Sequence, residues 1–121
     1  MPLFAVGSTT PITELPLKRR KFFNDRRPGI SDADYAKIEE ALNAKFDEQK
    51  PFNSSHVPGE TWVGGPYAPI LAACNGNEIY AGFLFGLIVW EVARNRNHDT
   101  WHFYKPDAEG DDIKGTTYFP N

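Results

Sequence analysis

The apolar positions between residues 31 and 48 recur every three or four residues, and polar side chains fill the positions between them. This is the period of an amphipathic α-helix. Ser31 is a natural N-cap, since its hydroxyl can accept a hydrogen bond from an amide of the first turn, and Pro51 lies beyond the far end. The pattern predicts a helix over 31–48 with one apolar stripe: Tyr35, Ile38, Leu42 and Phe46.

A second pattern, over residues 69–94, is almost continuously apolar. The run 79–90 contains no charged side chain and is too short for a membrane-spanning helix, which needs about 20 apolar residues. A buried helix capped by Asn77 is one interpretation, but it would be apolar on every side. Its β-branched and aromatic residues favour strands, and the Asn75–Gly76 pair is a strong hairpin signal. Strands over 69–74, 78–85 and 87–94 are therefore predicted, with the buried helix as the alternative.

Two further strands are predicted over 100–105 and 113–119, and an edge strand is predicted near 3–6. Pairing 87–94 with 100–105 across the loop 95–99 would place large apolar groups on both sides of the sheet. The predicted fold class is α+β: one domain, 1–121, with a curved antiparallel sheet of about four to six strands and one main helix (31–48) on one face.

One helix covers one sheet face, and large apolar patches seldom stay exposed on soluble monomers. The first functional hypothesis is therefore a small soluble protein-interaction or structural module that forms a homodimer through its second sheet face. Val89 and Phe103 are the predicted interface residues.

The alternative hypothesis is a small-molecule-binding protein or an enzyme, in which the curved sheet forms a cone closed by the helix. Four aromatic residues would line its pocket: Trp62, Trp90, Trp101 and Tyr104. Glu91 and His102 are the candidate catalytic groups, since general acid–base chemistry needs a carboxylate or a histidine in a partly dry cleft. Whether the protein is an enzyme stays open.

Charge is unevenly distributed along the chain. The net charge is −3, yet the segment 18–27 carries one acid and six basic residues: Lys18, Arg19, Arg20, Lys21, Arg26 and Arg27. With Phe22 and Phe23 beside them, these residues suggest nucleic-acid binding as a third hypothesis. A pI near 5.5 disfavours it. The alternatives are a solvated basic loop with both phenylalanines in the core, or docking onto an acidic protein partner or an acidic patch of a second copy.

The remaining chemistry-bearing residues predict little. The single cysteine, Cys74, excludes an internal disulfide and suits a core thiol in a cytoplasmic protein. No secretory signal is recognisable. His56, His98 and His102 have no metal-ligand spacing, so we expect no metal and no cofactor. No membrane association is expected either.

Overall fold

Helices form most of the computed structural model, which describes residues 3–5, 12, 15, 17–53, 65–96, 99–104 and 117–120. A 3-10 turn, Arg27–Gly29, joins the first two helices. The elements in chain order are β1 (Leu3–Ala5), α1 (Leu17–Arg26), α2 (Asp32–Asp47), β2 (Phe52–Asn53), α3 (Ala68–Ala73), α4 (Glu78–Asn95), β3 (Trp101–Tyr104) and β4 (Thr117–Pro120).

The helix predicted over 31–48 is present as α2. The Ser31 hydroxyl accepts a hydrogen bond of 3.1 Å from the Asp34 amide, as expected of an N-cap. All four residues of the predicted stripe are buried. The ring of Phe46 lies 4.7 Å from that of Trp101, so α2 packs on the sheet as well as on α4.

The strand prediction for 78–94 is wrong, because this segment forms the single helix α4. The side-chain oxygen of Asn77 caps it by accepting from the Tyr80 amide at 3.1 Å. Residues 84–90 are all buried, since α4 contacts α1, α2 and α3. An all-round apolar segment is stable here because neighbouring elements cover residues 84–90 on every side.

The strand predicted over 69–74 is also a helix, α3, and the Asn-Gly pair ends it instead of forming a hairpin. Asn75 and Gly76 have positive φ values of 56° and 80°. The Gly76 amide donates to the Leu71 carbonyl at 3.0 Å, which satisfies one of the carbonyls left open at the end of α3. Asn and Gly favour hairpin turns because they adopt positive φ values readily, and here the same property lets them form the turn between α3 and α4.

The sheet is small and mixed, in the order β1-β3-β4-β2. β1 pairs in parallel with β3, and the other two pairings are antiparallel. Trp101 lies opposite Leu3 on one side and Pro120 on the other. The predicted fold class is therefore wrong: the structure is mainly helical, and its strands are two to four residues long.

Arg96 connects the C-terminal end of α4 to neighbouring elements through ion pairs and hydrogen bonds. This residue is only 4% exposed, and it forms ion pairs with Asp47 at 2.7 Å and with Asp99 at 2.6 Å. It also donates to the side chain of Asn43 at 2.7 Å, and its guanidinium carbon lies 5.4 Å from the centre of the Phe46 ring. The cluster joins α2, α4 and the segment before β3.

Candidate interaction surface

Basic residues and aromatic rings meet where α1 packs against the first turns of α4. The Arg19 guanidinium carbon lies 5.1 Å from the centre of the Phe83 ring. That of Arg26 lies 3.9 Å from Phe22 and 5.2 Å from Tyr80. These distances are within cation–π range.

The three rings also contact one another. Phe22 and Tyr80 pack edge to face with centroids 5.6 Å apart, and Phe83 lies 6.2 Å from Phe22 and 6.3 Å from Tyr80. Aromatic pairs favour such offset or perpendicular geometries. The rings therefore form one group that holds both guanidinium groups in place.

This group reaches the surface of the protein. Ile79 is 62% exposed and Tyr80 is 42% exposed, the two largest exposures of bulky apolar side chains that the described residues show. We define the arginine–aromatic surface as six residues: Arg19, Phe22 and Arg26 of α1, with Ile79, Tyr80 and Phe83 of α4.

Helical geometry explains which of the predicted basic residues reach this surface. Because α1 turns by about 100° per residue, positions 19, 22 and 26 share one face, whereas positions 20 and 21 lie on other sides of the helix. Lys21 is exposed and pairs with Asp25 at 2.8 Å. Arg20 donates to the Leu15 carbonyl at 3.3 Å.

Arg27 also lies apart from the arginine–aromatic surface as defined. Arg27 lies over Tyr35 of α2, with its guanidinium carbon 3.6 Å from the ring centre. Lys18 belongs to α1, and the structure describes its backbone only.

Glu91, the first candidate catalytic residue, is held by its neighbour on α4. Arg94 forms an ion pair with it through Nε, and its Nη2 donates to Oε2 at 3.1 Å. Both residues line an open cleft of about 230 Å³ beside α1, together with Leu15, Arg20, Phe23 and Asn24. Glu91 therefore has a cationic partner one turn away on its own helix.

His102, the second candidate catalytic residue, lies in a different environment. It is half-buried in β3, and its ring stacks on Phe4 at 5.5 Å with an angle of 24° between the planes. It is not among the residues that line the Glu91 cleft.

The predicted pocket aromatics do not form a cone in the described part of the chain. Trp101 is fully buried in the core, and Trp90 packs on Phe103 with ring centres 4.6 Å apart. Tyr104 lies in β3, where the structure describes its backbone only. Trp62 lies outside the described residues.

The predicted interface residues likewise take other places. Val89 has no exposed surface, since it lies in the buried half of α4. Phe103 is half-buried against Trp90. The described residues do not form the second apolar sheet face that these two residues would share, because residues 87–94 are helical.

Neither a group of metal ligands nor a membrane-spanning helix is found in the part of the chain that the structure describes. Within it, no three histidine, cysteine, aspartate or glutamate residues gather as metal ligands, and His56 and His98 lie outside it. None of the described helices combines the length and apolarity needed to cross a membrane. Burial raises the pKa of the Cys74 thiol, which keeps it protonated as a core side chain.

Comparison with known proteins gives no match to a family model, a curated protein or a solved structure. Function is therefore inferred from the residues of this chain.

Sequence reasoning located the basic segment but missed its partners on α4. The predicted strand would place Tyr80 on the side opposite to Ile79 and Phe83, and it would separate residues 79 and 83 by about 13 Å. In a helix, residues 79 and 83 are neighbours on one face. The possible cap at Asn77 is the sequence feature that indicates a helix here.

Proposed function

We propose that this protein is an interaction module that binds an acidic protein partner through the arginine–aromatic surface. The observation that carries the proposal is the position of Arg26. It lies over two rings next to the exposed Ile79 and Tyr80, and within the described ranges it has no ion pair with a carboxylate. A partner carboxylate would supply that counter-charge.

The residue types are those that contribute most to protein–protein binding. Arginine and tyrosine are enriched among the residues whose truncation costs most affinity. A guanidinium already stacked on a ring loses less conformational entropy when it forms a bidentate hydrogen bond to a carboxylate. Exposed apolar side chains beside it add area that a partner can remove from water.

The geometry favours a protein over a nucleic acid. Single-stranded nucleic acids bind through bases that stack on open aromatic faces. Here Arg26 lies over Phe22 and Arg19 lies over Phe83, and both rings are half-buried.

The charge distribution favours a different chain over a two-fold dimer. A two-fold interface places the same patch of both copies face to face. That arrangement would bring Arg19 and Arg26 close to the same residues of the second copy. The like charges would oppose the association.

The partner can be identified by cross-linking from the surface itself. A photo-reactive amino acid would replace Ile79, and the matched control would carry it at Ala36, an exposed position of α2. The partner identified in this way would then be purified in its free form, and its affinity would be measured for the unmodified chain and for the Arg26→Glu variant. We expect an acidic protein whose affinity falls at least about tenfold with Arg26→Glu, equal to about 1.4 kcal/mol.

The Lys37→Glu variant provides the charge-matched control, because Lys37 is an exposed basic residue of α2. We expect its affinity for the partner to equal that of the unmodified chain. Equal losses in both variants would contradict the proposal, since only the net charge would then matter. Light scattering adds a second test: a stable dimer of the isolated chain that Tyr80→Glu dissociates would show that the surface is self-complementary.

A further inference from the structure

We infer that Phe22 is a positioning residue of the arginine–aromatic surface: its ring orients the Arg26 guanidinium for the partner's carboxylate without contacting that carboxylate itself. The inference rests on the proposed function. It adds that the affinity for the partner depends on a side chain that acts only through Arg26.

The geometry of α1 brings Phe22 and Arg26 together. The two residues are four positions apart, and side chains with this spacing are neighbours on a helix surface. The guanidinium carbon of Arg26 lies 3.9 Å from the centre of the Phe22 ring, which is contact distance. Nη1 of Arg26 also donates a long hydrogen bond of 3.5 Å to the Phe22 carbonyl. The ring and the backbone of one residue therefore hold the same guanidinium.

The Phe22 ring is itself held by two rings of α4. It packs edge to face on Tyr80, with an angle of 86° between the planes, and on Phe83, with an angle of 68°. Aromatic pairs favour such geometries. Phe22 therefore has a fixed place between α4 and Arg26, and the position of the guanidinium follows from the packing of the two helices.

Phe22 and Tyr80 differ in how they support Arg26. The guanidinium carbon is 3.9 Å from the centre of the Phe22 ring but 5.2 Å from that of Tyr80. The two ring planes are almost perpendicular, so a planar guanidinium can lie flat on only one of them. Tyr80 is 42% exposed, whereas Phe22 is half-buried. These differences assign the support of Arg26 to Phe22 and direct contact with the partner to Tyr80.

The orientation of Arg26 affects affinity because a long, flexible side chain loses conformational freedom when a partner immobilises it. A guanidinium that a ring already holds loses less of this freedom. Two parallel hydrogen bonds to a carboxylate also require a defined orientation of the guanidinium plane. We therefore expect loss of the Phe22 ring to weaken the binding of the partner by about threefold to tenfold.

Three variants separate positioning from packing. Phe22→Leu removes the ring and keeps an apolar side chain, whereas Phe22→Tyr keeps the ring. Phe83→Leu makes the same change at a second half-buried ring of the surface, one that is not among the described contacts of Arg26. We expect Phe22→Leu and Phe83→Leu to lose similar stability in urea, because both rings belong to one packed group.

Nuclear magnetic resonance would test the positioning without a partner. Protons above an aromatic ring resonate at lower frequency, so the side-chain signals of Arg26, including its Nε–H group, should be shifted in this direction in the unmodified chain. We expect the shift to persist in Phe22→Tyr and Phe83→Leu and to disappear in Phe22→Leu. A shift that survived Phe22→Leu, or that was absent from the unmodified chain, would overturn the inference.

The affinity for the partner provides the functional readout. The probe is the acidic protein identified by cross-linking at Ile79, purified in its free form. We expect it to bind about threefold to tenfold more weakly to Phe22→Leu and with unchanged affinity to Phe22→Tyr and Phe83→Leu. In a chain that already carries Arg26→Ala, Phe22→Leu should cause no further loss, because Phe22 then has no guanidinium to orient.

The outcomes distinguish this inference from the proposed function. Equal losses from Phe22→Leu with and without Arg26→Ala would overturn the inference, since Phe22 would then contact the partner or support the fold. Full affinity in Phe22→Leu would also overturn it and would leave the acidic partner in place. If Arg26→Glu kept full affinity, or if no acidic protein were captured, the proposed function would fail. The Arg26 signals would still show whether Phe22 positions this side chain.

Discussion

An arginine lies beside an aromatic ring at each end of α4, but the two arginines have different surroundings. At the C-terminal end, Arg96 is 4% exposed and pairs with Asp47 and Asp99. At the N-terminal end, Arg26 of α1 is half-buried over Phe22, beside exposed apolar side chains.

The comparison shows that the ring contact alone does not define the role of an arginine. A buried guanidinium with carboxylate partners fixes elements to one another, since removing either partner leaves a buried polar group unsatisfied. A half-buried guanidinium that stacks on rings still has N–H groups that can donate hydrogen bonds to a partner. The first arrangement is suited to stability and the second to recognition.

The largest expected effect separates the two halves of α4. Val89→Lys places an unpaired charge in the core, and we expect a loss of about 5 kcal/mol or more in the free energy of unfolding, comparable to the total stability of a small domain. The matched variant Ile79→Lys changes an exposed position of the same helix and should cost about 0.5 kcal/mol or less. Circular dichroism during urea unfolding measures both. Similar losses would refute the division of α4 into a buried and an exposed part.

Truncation of the buried arginine comes next. Arg96→Ala leaves Asp99 without the cation that binds it, so the expected destabilisation is about 3–5 kcal/mol. Arg96→Lys keeps the charge but lacks the planar guanidinium that contacts Asp47, Asn43 and Asp99. We expect its free energy of unfolding to lie between those of the unmodified chain and Arg96→Ala. Urea midpoints of the three proteins give the order. If Arg96→Ala lowered the free energy of unfolding by less than about 1 kcal/mol, this cluster would not be important for stability.

The same cluster should make stability depend on acid. Hydrogen bonding to Arg96 lowers the pKa of Asp99 to about 2 from its ordinary value of 3.8. A carboxylate whose pKa is lower in the folded state stabilises the fold above the unfolded value. That contribution, of order 2 kcal/mol, should be lost as the pH falls from about 5 to 2.

Urea unfolding at several pH values tests this dependence. Asp99→Asn removes the titrating group, so the variant should be less stable at pH 7 and should lose less stability in acid. If both proteins lose stability equally between pH 5 and 2, Asp99 does not account for the slope.

A small effect on stability is also expected where Arg26 of α1 packs against the first turns of α4. Arg26→Ala removes contacts with Phe22 and Tyr80 that are worth about 0.5–1 kcal/mol at a partly exposed site. Thermal unfolding of Arg26→Ala and Arg26→Lys would measure it. If Arg26→Ala lost as much stability as Arg96→Ala, the two arginines would contribute equally to the fold, which would contradict the distinction made here.

The sequence predicted α2 because its signals agree with one another. A cap at Ser31, a stripe with helical spacing and a late proline all indicate the same element. For α4 the signals conflict: Asn77 favours a helix start, whereas many β-branched and aromatic residues favour strands. Burial on all sides overrode that propensity, and it depends on neighbours that a local pattern does not contain.

The candidate surface was only half predictable for the same reason. The basic composition of 18–27 is visible in the sequence, but the face on which each arginine lies depends on α1 being helical. The contact with Tyr80 and Phe83 depends on α4 being a helix that packs against α1. Without these two assignments, Arg19 and Arg26 cannot be distinguished from their basic neighbours.

The proposed division assigns partner binding to the arginine–aromatic surface and stabilisation of the fold to the Arg96 cluster. Unfolding and partner binding, both measured on the Arg19→Glu/Arg26→Glu variant, test this division. We expect an unfolding free energy within about 1.5 kcal/mol of that of the unmodified chain and a loss of at least about tenfold in affinity for the partner identified by cross-linking. A large loss of stability with unchanged affinity would contradict it, because these arginines would then be structural.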